Sequence, residues 1–219
     1  MTVIGYVTLG YGRSVPPAPT SPESPMSTAA APVRSGLVLA DLVPASRARD
    51  IALVASGAVL TGLAAQLSVP VHGSPVPVSG QTFAALLVGS ALGARRGFLS
   101  LGLYAVAGAL GVPWFAQGAS GYGMPSFGYI LGMLLAATVV GALARRGADR
   151  TVLRTAGAMA LGSLVIYAVG VPYLALATGM SLSQAVAVGL VPFLFGDALK
   201  AALAMGALPT AWRIAGRRG

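Results

Sequence analysis

The stretch Phe195-Gly-Asp-Ala-Leu-Lys-Ala-Ala-Leu-Ala sets Asp197 and Lys200 three residues apart, in a run from about Leu182 to Ala211 that is otherwise mostly apolar or small. On a helix, residues at this spacing share one face. Together they offer a carboxylate that accepts hydrogen bonds and an ammonium that donates three. Such a pair can hold a polar ligand that carries both N–H donors and an acid group. It can also close on itself as a structural salt bridge. Ionisable groups in a membrane are costly unless paired, and they mark functional sites more often than not.

Two uncharged outer loops are the next candidates, residues 69–83 and 111–129, both rich in Gly, Pro and aromatics. Trp114, Phe115, Tyr122, Phe127 and Tyr129 can form an aromatic wall around a flat ligand, or an interfacial belt. Gln81 and Tyr104 add polar groups near the same end. Gly118-Ala119-Ser120-Gly121 resembles the G-x-S-G of rhomboid intramembrane serine proteases, which makes Ser120 a candidate nucleophile in an alternative reading. That chemistry needs a base. The only histidine, His72, lies in the first outer loop, and Asp197 beside Lys200 keeps the ammonium charged. With one histidine and no cysteine, neither a multi-histidine nor a thiolate metal site can form. No G-x-x-x-x-G-K-[ST] loop is present, so any ATP hydrolysis belongs to another chain.

The elements that position these residues follow from composition. Of 219 residues, 56% are hydrophobic and 9% charged, whereas a soluble domain carries about 25% charged residues. The chain reads as an all-α integral membrane protein. Six stretches are candidate crossings: 51–69, 79–94, 97–112, 125–144, 153–177 and 192–212, the last preceded by a short helix or loop at 182–190. Arginines fall at alternate boundaries: Arg47 and Arg49, then Arg95 and Arg96, then Arg145 to Arg154, then Arg213 to Arg218. This alternation predicts six spans with both termini cytoplasmic. It also explains the net charge of +9 without nucleic acid. Asp197 and Lys200 then lie one to two turns inside the outer end of the last span. Residues 1–45, rich in Pro, Ser, Ala and Thr, read as a disordered cytoplasmic tail, with Met26 an alternative start and no signal peptide. Residues 46–219 form the transmembrane domain. Small residues at four-residue spacing, Ala48/Ala52/Ser56 and Ala58/Gly62, suit close helix packing, either within the bundle or against another membrane subunit.

Several motifs occur in order over about residues 50–212: Pro75-Val-Pro77, Gln81-Thr-Phe83, Leu92-Gly followed by Arg95-Arg96-Gly97, Gly111-Val-Pro-Trp-Phe115, Pro125-Ser-Phe-Gly-Tyr129 and Gly196-Asp-Ala-Leu-Lys200. Together they resemble the BioY family, the biotin-specific substrate-binding (S) components of energy-coupling-factor (ECF) transporters, a class of ABC transporter. The resemblance implies a six-helix bundle in the cell membrane that takes biotin from outside and performs no covalent chemistry. It implies no cofactor. It implies partners: one transmembrane T component and two ATPase subunits that hydrolyse the ATP. Asp197 and Lys200 match the family's C-terminal pair and are expected to contact biotin, with Gln81, Tyr104, Phe115 and Tyr129 lining the pocket. Loops 69–80 and 113–127 are expected to close over the ligand. The 116–124 loop lacks the extra glycines, and the arginine of some members, which leaves Lys200, backbone N–H groups or Ser120 to meet the biotin carboxylate.

Overall fold

The computed structural model describes residues 36–216. Most of the expected tail, residues 1–35, lies outside the described residues. The remainder of that expectation, 36–45, is corrected: this segment packs onto the bundle. Val38 and Ala40 are apolar and buried, a 3-10 turn runs Leu39–Leu42, and Asp41 is ion-paired.

Helix α1 (Arg47–Gln66) starts at Ser46, whose hydroxyl accepts the Arg49 N–H at 3.0 Å. Its chain exit forms a two-stranded antiparallel ribbon, β1 (Ser68–Val69) with β2 (Val78–Ser79), in the register Ser68 opposite Ser79. Helices α2 (Gln81–Leu92) and α3 (Ala94–Ala109) follow, then α4 (Phe127–Arg145) and α5 (Val152–Thr178). The short α6 (Leu182–Gly189) opens with a capping box between Ser181 and Gln184. A 3-10 turn, Val191–Phe193, carries Pro192 and leads into α7 (Leu194–Gly216).

Among the described residues, four segments are long and apolar enough to cross a membrane: Arg47–Gln66, Phe127–Arg145, Val152–Thr178 and Leu182–Ala215. The pair α2 and α3 is shorter. With 12 residues, α2 rises about 18 Å, against about 30 Å of hydrocarbon. Arg95 and Arg96, expected in the turn between these helices, lie in the first turn of α3 instead. Gly93, at φ +82°, reverses the chain in a single residue, so no further turn residues are needed.

The helices α2, α3 and α5 all pack on α4, the most buried of the long helices. Small residues permit this. A methyl group at Gly89 would strike the Ala137 backbone, and one at Gly132 the Ile166 backbone. Large apolar side chains point outward instead, among them Leu63, Leu135, Leu164, Leu176 and Phe195. Lipid tails are as apolar as these groups, so their exposure carries no penalty in a bilayer. The small-residue ladder of α1 divides. Ala58 and Gly62 are buried, Gly62 against the Trp114 ring, while Ala48, Ala52 and Ser56 face outward.

One end of the bundle gathers the arginines. Arg96 meets Asp41 at 2.8 Å and Asp50 at 3.1 Å, and Arg145 lies 3.5 Å from Asp41. Burial works against the Asp41 charge, but the Arg96 hydrogen bond, the Val38 N–H and Arg145 outweigh it and hold the carboxyl below its usual range. Nearby, Trp212 of α7 donates to Asp149 at 2.6 Å, and the Arg150 guanidinium lies over the Trp212 ring. Burial holds the Asp149 carboxyl above its usual range despite these partners. The opposite end, made of the ribbon, the 110–126 loop and α6, contains no lysine or arginine.

Candidate functional site

Asp197 occupies the first turn of α7, where the free N–H groups of a helix start favour negative charge. One carboxylate oxygen lies 3.3 Å from the Lys200 ammonium. The other accepts a hydrogen bond from the Tyr167 hydroxyl of α5. Lys200 in turn donates to Thr82 Oγ1 of α2 at 2.7 Å. The pair is therefore held among α2, α5 and α7, rather than closed on itself. The side chains of Lys200 and Asp197 are 18% and 15% exposed, so both are largely withdrawn from solvent yet not sealed.

The bonding capacity is not exhausted. Lys200 has a third N–H, and a carboxylate has about four lone-pair sites, of which two are used here. A buried ion pair is weak support for stability, because desolvation offsets its attraction. What the arrangement can do chemically is accept N–H donors at Asp197 and donate to an oxygen at Lys200.

A second group stands next to Thr82. Gln81 accepts the Tyr104 hydroxyl at 2.8 Å, and the Trp114 indole donates to the Tyr104 carbonyl at 3.0 Å. Phe115 is buried edge-on to Tyr104, with ring centroids 5.2 Å apart. It lies over Gly108, where a methyl would overlap its ring. Gln66 of α1 ties the loop down by donating to the carbonyls of Trp114 and Phe115, at 3.0 and 3.3 Å. In a third group, Tyr129 donates to the Gly189 carbonyl at 2.7 Å, meets Tyr167 edge-on and stacks on Phe193.

The structure thus brings Asp197 and Lys200 together and pairs Gln81 with Tyr104. Tyr129 joins the site through Tyr167, and Phe115 joins Tyr104. The aromatic wall divides: Phe115 and Tyr129 are buried, Trp114 and Phe127 are half-buried, and Tyr122 is exposed. Ser120 stands apart, exposed in the irregular 119–124 segment, and Lys200 directs its bonds to Thr82 and Asp197. Thr82 and Tyr167 were not anticipated as site residues. Thr82 lies inside the Gln-Thr-Phe motif, which was a usable signal; Tyr167, a hydroxyl midway along an apolar helix, gave a weaker one. Among the described residues, no group of three His, Cys, Asp or Glu is placed to hold a metal ion.

The family model for BioY matches residues 34–217. The chain belongs to the BioY family. Similar BioY proteins include a probable biotin transporter BioY from Pyrococcus horikoshii, 36% identical over 138 residues, which covers 62% of this chain and 80% of that one. The biotin transporter BioY of Rhizobium etli is 32% identical over 147 residues, covering 62% and 79% of the two chains. The fold is similar to the crystal structure of the S-component for biotin from an ECF-type ABC transporter, with a TM-score of 0.69 over 78% of this chain and 95% of that one, at 20% identity. BioY proteins are transporter S components, not enzymes, and the protease reading of Ser120 has no support.

Proposed function

We propose that this chain is the biotin-binding membrane subunit of an ECF-type ABC transporter, and that it captures biotin at the end of the bundle opposite the arginines. The observation that carries the reading is the Asp197–Lys200 pair, fixed among three helices with bonding capacity left over. Biotin supplies the complement: two ureido N–H donors, a ureido carbonyl and a carboxylate. Asp197 accepts from the ureido N–H groups, and Lys200 donates to a biotin oxygen. Gln81, Tyr104, Phe115 and Tyr129 shape the surrounding wall, and Ser120 stands in the loop available to the carboxylate end. Loops 69–80 and 113–127 cover the ligand and exclude water, which strengthens each polar contact. The names of the similar BioY proteins support biotin as the ligand.

The rest of the machine is on other chains. A transmembrane T component and two ATPase subunits in the cell membrane drive inward release by shifting the bundle between two states. The arginine-rich end faces the cytoplasm, and the chain crosses six times.

Biotin titration of the purified protein tests the site. Asp197→Asn and Lys200→Ala each lose about 1.5–3 kcal/mol of binding, as for a hydrogen bond to a charged group. Biotin raises the melting temperature of the unaltered protein, since it binds the folded state alone. Unchanged affinity in both variants overturns the assignment. Co-purification with mass spectrometry of the partner chains tests the assembly.

A further inference from the structure

A groove of about 750 Å³ opens between the N-terminal turns of α1 and α3, at the arginine-rich end and far along the bundle from the Asp197–Lys200 pair. Its chemistry is graded along the helix axes. Arg47 and Arg95 line it at the first turns of the two helices, and Ile51, Val54, Leu99 and Leu103 line it further along them. These apolar residues lie four to eight positions from the arginines, a rise of about 6–12 Å on an α-helix. That is the depth over which a bilayer passes from headgroup to acyl chain.

Charge separates this groove from a general basic surface. Arg96 and Arg145 also line it, but Asp41 and Asp50 answer them with ion pairs of 2.8–3.5 Å. Those contacts tie α1, α3, α4 and the 36–45 segment together beside the groove. Arg47 and Arg95 have no carboxylate within ion-pair distance among the described residues, and both are exposed. The four guanidinium groups around the groove therefore outnumber the two carboxylates.

We propose that this groove is a binding site for an anionic phospholipid of the inner leaflet. Its phosphate bridges Arg47 and Arg95, and its upper acyl chains lie against Ile51, Val54, Leu99 and Leu103. Arginine suits the role because its planar fork binds phosphate oxygens in pairs. Basic pockets between membrane helices on the cytoplasmic side bind anionic headgroups for this reason. The apolar walls select a lipid over a soluble phosphate, and the surplus of positive charge selects an anionic lipid over a zwitterionic one.

Native mass spectrometry of the full chain released from mixed micelles reads the site. The micelles hold phosphatidylglycerol and phosphatidylcholine at equal concentration, with glycerol phosphate as a soluble competitor. The expected result is retention of phosphatidylglycerol over phosphatidylcholine, with no displacement by glycerol phosphate. The double variant Arg47→Gln, Arg95→Gln loses roughly tenfold or more of that preference. Arg213→Gln, at the exposed end of α7 outside the groove, keeps it. Biotin titration of the same samples reports folding independently. Equal retention of both lipids by the unaltered protein overturns the proposal, as does a full preference in the double variant. Displacement by glycerol phosphate overturns the lipid in favour of a soluble anion.

Discussion

At the residue scale, the site is a chain of four side chains from three helices: Thr82, Lys200, Asp197 and Tyr167. Two of them stood out in the sequence because a charge in an apolar run is conspicuous. The other two did not, because threonine and tyrosine are ordinary in membrane helices and become partners only when α2 and α5 pack against α7. Thr82→Val leaves Lys200 without its 2.7 Å acceptor, and we expect biotin affinity to fall by about 1–3 kcal/mol. Tyr167→Phe removes the O–H donated to Asp197 and is expected to weaken binding in the same range. A double-mutant cycle distinguishes positioning from direct contact. If Thr82 acts by holding Lys200, then Thr82→Val adds less than about 0.5 kcal/mol in a Lys200→Ala background. Full additivity shows that Thr82 meets biotin on its own account.

At the element scale, the sequence gives most of the helices but not their joints. Apolar runs between Pro and Gly punctuation mark the long helices to within a few residues, and Pro192 marks the approach to α7. The ribbon at Ser68–Val69 and Val78–Ser79 was not legible, since two-residue strands leave no periodicity to detect. The α2–α3 turn was misplaced onto the arginines because charge suggested a loop, whereas the reversal depends on the backbone freedom of Gly93 alone. Glycines in the packed faces make a sharper test of the arrangement. A side chain at Gly89 must displace Ala137 backbone atoms, which cannot rotate away as a side-chain tip would. Gly89→Ala is therefore expected to lower stability by about 1–3 kcal/mol, the usual range for an overpacked core. Gly157 in α5 faces open space, so Gly157→Ala should be neutral or stabilise by up to about 1 kcal/mol. Thermal or denaturant unfolding in detergent compares the two, and similar behaviour would contradict the packing of α2 on α4.

At the scale of the whole molecule, α2 has only 12 residues against a hydrocarbon layer of about 30 Å, and the number of crossings turns on where the α2–α3 pair lies. The ion pairs suggest an answer. Arg96, in the first turn of α3, reaches both Asp50 of α1 and Asp41, and Gly141 near the end of α4 packs on the Gly93–Ala94 turn. The tip of the α2–α3 hairpin therefore lies at the basic end, while the ribbon that feeds it starts from the other end. For α2 to cross, the missing length must come from the uncharged loop at 68–80, which is tolerated at membrane depth only where protein covers it. Val76 and Ser79, next to α2, are buried, whereas Val69, Pro70, His72, Gly73 and Pro75 are exposed. Because the chain has no cysteine, single substitutions can report topology cleanly. We expect His72→Cys, Tyr122→Cys and Ser183→Cys to react with a membrane-impermeant thiol reagent on intact cells. Ala45→Cys, Arg95→Cys and Arg146→Cys should react only after permeabilisation. Arg95→Cys and Ala45→Cys decide the orientation together: the ion pairs hold the α2–α3 tip beside the start of α1, so labelling both from outside would invert the bundle and place the lipid groove on the wrong leaflet.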